Sequence, residues 1–61
     1  MKYVSFEWRT TVGGSVFYTK AGSHGTSEEA VEAVAAWNVL NSNPRRGYAW
    51  CLVEEAPEMK I

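Results

Sequence analysis

The chain has 61 residues, a formal net charge of −1, one cysteine and one histidine. That length makes a single domain, 1–61, with a thin core, and one cysteine excludes an internal disulfide. Cys51 and His24 lie far apart and match no zinc-ligand spacing, so no metal or other cofactor is expected. The basic residues are scattered except for Arg45-Arg46, which leaves no concentrated basic footprint for nucleic acid. No apolar signal core opens the chain and no stretch is long enough to span a bilayer. A soluble cytoplasmic protein is expected, without membrane contact.

The first element is a strand, about residues 2–11, in strict period two. Val4, Phe6 and Trp8 point one way; Tyr3, Ser5, Glu7 and Arg9 point the other. Gly13-Gly14 marks a hairpin turn, and a return strand follows at about 15–20. A connection with an even number of residues sets Trp8 opposite Thr19 and puts Phe17 beside Phe6. Val16 and Tyr18 then share the other face with Arg9. A three-residue connection would reverse the second strand. The glycine pair favours the even connection.

Residues 21–25, Ala-Gly-Ser-His-Gly, read as a loop feeding a helix at about 27–42. Thr26 and Glu29 have the spacing of a capping box. Ala30, Ala33, Val34, Trp37 and Leu40 form one apolar stripe, with Glu28 and Glu32 roughly opposite. Val39 falls on the polar side. Asn41 to Pro44 end the helix. A third strand is expected at about 47–55, and the tail 56–61 is expected to fray. The order strand, strand, helix, strand predicts an α+β fold: a three-stranded antiparallel sheet in spatial order 2-1-3, with the helix on one face.

No catalytic constellation is visible, and no enzyme activity is expected. Gly22-Ser23-His24-Gly25 leads into a helix N-terminus as phosphate loops do. No lysine follows it, however, and Glu28 and Glu29 already occupy the positive end of the helix dipole. His24 reads as an exposed loop residue and Cys51 as a small buried strand residue. Arg45-Arg46 suits the negative end of the helix dipole. One helix cannot cover both faces of a sheet, so the candidate site is the face left open. With Val4, Phe6, Trp8 and Phe17 under the helix and the compact set Ala49, Cys51 and Val53 inward, the open face carries Tyr3, Arg9, Val16, Tyr18, Tyr48, Trp50 and Leu52. Aromatic, apolar and arginine side chains together are typical of interface centres.

The run Thr26-Ser27-Glu28-Glu29-Ala30-Val31-Glu32-Ala33, then Trp37, then Gly47-Tyr48 opening a strand that closes before Pro57, resembles in layout the small host RNA polymerase inhibitors of T7-type phages. Those proteins pack one helix on a three-stranded sheet, and arginines near the end of their last strand contact the polymerase. Here that stretch reads Leu52-Val53-Glu54-Glu55, with the charge reversed. The opening strand, glycine turn and Ser-Glu-Glu-Ala helix also resemble HicB-type antitoxin domains, which have three strands before the helix where this chain has two. The resemblance implies a small inhibitor or adaptor from a mobile element. The expected function is therefore a non-catalytic protein-binding module that occupies a surface of a larger host protein. The alternatives are a homo-oligomer, such as a homodimer, pairing through the open sheet face, and a nucleic-acid-binding accessory protein.

Overall fold

The computed structural model of the chain describes residues 2–58. Strand β1 (Tyr3–Thr10) is followed by β2 (Val16–His24), helix α1 (Ser27–Leu40), β3 (Arg46–Leu52) and a short 3-10 turn (Val53–Glu55). The sheet order is β2-β1-β3, with both pairings antiparallel, as the element order predicts. β2 runs on to His24, so the stretch expected to be a loop is mostly strand. β3 stops at Leu52, earlier than expected, because the backbone tightens into the 3-10 turn. In the segment expected to fray, Ala56 and Pro57 are half-buried and Glu58 is exposed; 59–61 lie outside the described residues.

The hairpin corrects the even-connection reading. Thr11 N–H donates to the Ser15 carbonyl at 2.9 Å, and Gly14 N–H donates to the Thr11 carbonyl at 3.0 Å. Val12, Gly13 and Gly14 are thus a three-residue connection. Gly14 takes φ +88°, the left-handed position that such connections place in their last residue. Trp8 therefore pairs with Tyr18, and Arg9 with Phe17. Tyr18 shares the face of Phe6, meeting it edge-on at 5.5 Å, while Phe17 turns to the other face. A bulge between Ser5 and Phe6 then shifts the register, leaving Ala21 unpaired and setting Gly22 opposite Ser5.

The helix begins as expected. Thr26 Oγ1 accepts from Glu29 N–H at 3.2 Å, so one of the N-terminal donors is satisfied. Its sheet-facing side is Ala30, fully buried, with Ala33, Val34 and Trp37 half-buried around it. Leu40, expected in that stripe, is 83% exposed, because the helix ends beyond the cover of the sheet.

The face beneath the helix also differs from expectation. The Trp37 ring meets the Tyr48 ring at 5.2 Å, and Asn38 is bonded to the Tyr48 backbone. Tyr48 pairs with Glu7 and Trp50 with Ser5, so the covered face is that of Tyr3, Ser5, Glu7, Tyr48 and Trp50. Handedness agrees. Tyr48 turns its backbone groups away from β1 toward Asn38, so Glu7 and Ser5 direct theirs to β2. With Ser5 facing the viewer and β1 running upward, β2 must then lie to the right. A helix in front makes the β2-α1-β3 crossover right-handed, the strongly preferred sense.

Val4, Phe6 and Trp8 consequently lie on the far face, not under the helix. Val4 and Phe6 are nevertheless only 5% and 8% exposed. Tyr18 packs on Phe6, and the Trp8 ring lies over Gly47. The chain after β3 turns toward the same side, where the Glu55 carboxylate acts on Cys51. The molecule thus has two thin apolar layers, one on each side of β1.

Gly47 leaves no room for a side chain in the far layer: a β-carbon there would stand 2.7 Å from Cζ2 of Trp8. Gly47→Ala must push the indole aside and should destabilise by about 1–3 kcal/mol, as overpacking does. Urea unfolding followed by tryptophan fluorescence measures this; an unchanged midpoint would mean that the ring does not lie there.

Candidate interaction surfaces

The seven residues expected to share one open face do not. Tyr3, Arg9, Tyr48, Trp50 and Leu52 lie on the helix side of the sheet, and Val16 and Tyr18 on the far side. Tyr48 is held under Trp37, and Tyr3 meets Trp50 edge-on at 5.7 Å. Trp50 keeps 36% of its surface exposed, at the margin of the helix. Arg9, expected beside Tyr18, instead pairs with Glu7 at 3.1 Å on the helix side. Glu7 also meets Arg46 at 3.7 Å. Arg46 lies in β3, and its Nε donates to Oδ1 of Asn41, the C-cap of the helix, at 3.2 Å.

A polar pair that the alternation does not reveal forms at the bulge. Ser5 Oγ and His24 Nε2 are hydrogen-bonded at 2.8 Å, and Ser5 is fully buried. A β-carbon on Gly22 would stand 3.2 Å from Ser5 Oγ, so the glycine leaves room for the pair. Serine beside histidine has the ingredients of an activated nucleophile. A fully buried hydroxyl offers no approach to a substrate, so the pair ties the end of β2 to β1 instead. His24, read as an exposed loop residue, is half-buried for this reason. Among the described residues, no group of three or more His, Cys, Asp or Glu side chains could hold a metal ion.

The sheet's two edges are treated differently. On β3, Asn38 Oδ1 accepts from Tyr48 N–H at 2.9 Å and its Nδ2 donates to the Tyr48 carbonyl at 3.0 Å. Asn41 Nδ2 donates to the Arg46 carbonyl at 2.7 Å. Two helix amides thereby stand in for a neighbouring strand. On β2, the outward N–H and C=O groups of Val16, Tyr18 and Lys20 meet nothing among the described residues.

The outward side of α1 is the other uncovered surface. Val39 and Leu40 are both 83% exposed, and Val31, Ala35 and Ala36 are exposed as well. The helix's three charges, Glu28, Glu29 and Glu32, all fall in its first half, so Ala33–Leu40 carries none. Val39 on the polar side is a sign of this in the sequence.

No helix among the described residues is long and apolar enough to cross a membrane. No family model, curated protein or solved structure matches the chain.

Two outcomes check the geometry around β3. Asn38→Ala should cost about 1–2 kcal/mol by exposing both Tyr48 groups to weaker partners. Asn38→Asp should fare no better in thermal melts, since its carboxylate loses the donor and meets the helix's negative end. Burial, and then the Glu55 carboxylate, push the Cys51 thiol above its ordinary range. Less thiolate is then present at any pH below that value, so iodoacetamide should modify Cys51 at pH 8 more slowly than in the unfolded chain. Glu55→Gln should speed this only in part, because burial is the larger cause; equal rates folded and unfolded would show an ordinary thiol.

Proposed function

We propose that the protein is a non-catalytic binding module that seats the outward side of α1 on a larger protein. The observation that carries this reading is the uncharged second half of the helix, with Val39 and Leu40 both 83% exposed. A helix that is apolar on its outer side as well as its inner one is ordinarily buried. Clustered exposed apolar side chains mark contact sites more often than single ones do. Chemistry favours a protein over a nucleic acid, since this surface has no basic residue along Ala33–Leu40. Acting by occupying a host protein's surface is the manner of the small phage inhibitors that the layout resembles, a likeness of layout alone.

The test is the double variant Val39→Lys, Leu40→Lys. Both positions are exposed, so its melting temperature should stay within a few degrees of wild type. Affinity capture from lysate of the source cells, followed by titration of the captured protein, should show binding weakened by at least about 2 kcal/mol, roughly thirtyfold. A folded variant that captures the same protein with the same affinity overturns the reading.

A further inference from the structure

We infer that the bare edge of β2 pairs antiparallel with β2 of a second copy of this chain, joining two sheets into one of six strands. The outward backbone groups belong to Val16, Tyr18 and Lys20, spaced evenly about Tyr18. A two-fold axis through Tyr18 sets Val16 opposite Lys20 of the second copy, Tyr18 opposite Tyr18, and Lys20 opposite Val16. Every outward N–H then meets a C=O, which no shifted two-fold register achieves for all three residues.

The usual protections of an exposed edge are sparse here. Residues 16–20 contain no proline and no bulge, and the only charge is Lys20. The opposite edge, by contrast, is occupied at Arg46 and Tyr48 by Asn41 and Asn38. Those bonds draw the helix's second half toward β3, away from the bare edge.

A second copy suits this edge better than a foreign strand. Among the described residues the buried apolar side chains are Val4, Phe6 and Ala30, and one cysteine allows no internal disulfide. A chain of this size with so thin a core usually gains stability from association. An identical chain is always present in equal amount. Val16, 45% exposed, gains the aliphatic stem of Lys20 as a neighbour in this register. The contact is short compared with a standard interface, so dissociation in the micromolar range is expected.

The register makes a prediction that other dimers do not. Val16→Glu sets a carboxylate opposite Lys20 twice per dimer and should tighten association severalfold. Val16→Lys sets like charges opposite and should weaken it severalfold, giving about a tenfold spread between the two. Sedimentation equilibrium from micromolar to millimolar concentration reads both constants. Amide exchange by NMR should show Tyr18 and Lys20 gaining protection as concentration rises, while Phe17 and Thr19, bonded to β1, are protected throughout. The Val39→Lys, Leu40→Lys variant should dimerise as wild type does, which separates this proposal from the helix-surface reading. A wild-type chain that remains monomeric overturns the inference. So do a dimer whose Tyr18 and Lys20 amides stay unprotected, and Glu and Lys variants with the same dissociation constant.

Discussion

Gly14 holds the hairpin at φ +88°, and the placement of the β2 side chains from Val16 to Lys20 follows from that turn. A strand's side chains alternate, so adding one residue to the connection exchanges its two faces. With three residues in the connection, Tyr18 rather than Phe17 reaches Phe6. The bulge at Ser5/Phe6 then shifts the register by one. Without it Ser5 would face Ala21; with it Ser5 faces Gly22, and His24 closes onto the buried hydroxyl. The turn therefore builds the far apolar layer and the bulge builds the polar tie on the helix side, both along one pair of strands.

The local features were legible from residue order. Thr26 and Glu29 cap the helix, β1 alternates, and the strand order follows from chain order with a right-handed crossover. The turn's parity was not legible, because the glycine pair suggests a two-residue connection, while a three-residue connection needs only one glycine, Gly14, at positive φ. The helix-side face of β1 was not legible either. Phe6 and Trp8 look like the residues a helix should cover. Yet Tyr18, Gly47 and the chain beyond β3 shield them from the other side, and α1 instead lies on a face that includes Ser5 and Gly22. Small residues permit a close approach of helix to sheet that bulky ones would block. Such a choice depends on contacts between distant segments, which alternation within one strand does not encode.

The candidate surface suffered more than the fold, for the same reason. Grouping Trp50 with Tyr18 required a parity that the turn does not have, so those residues separate to opposite sides of the sheet. What remained legible was the composition of Ala33–Leu40, which lacks charge whichever face it presents. Leu40 looked inward by periodicity, but the helix outruns the sheet at its C-terminal end, and a side chain there has nothing to pack on.

Asn38 and Asn41 connect the two uncovered surfaces. By bonding the edge of β3 they anchor the second half of α1 over that strand, and Val39 and Leu40, on neighbouring positions, are left pointing outward. The same anchoring leaves the far edge of the sheet, β2, without cover. The two surfaces therefore lie on opposite flanks and do not compete. In the proposed dimer, antiparallel pairing of two identical edges would place the two-fold axis perpendicular to the sheet, so both helices would stand on the same side of it. Each apolar helix end would then belong to a pair, and a target with two matching sites would meet both at once. The second contact is intramolecular, which raises overall affinity by the effective concentration rather than by any new bond. A weak edge pairing and a small helix surface, each modest alone, can in this way support binding that neither would give separately.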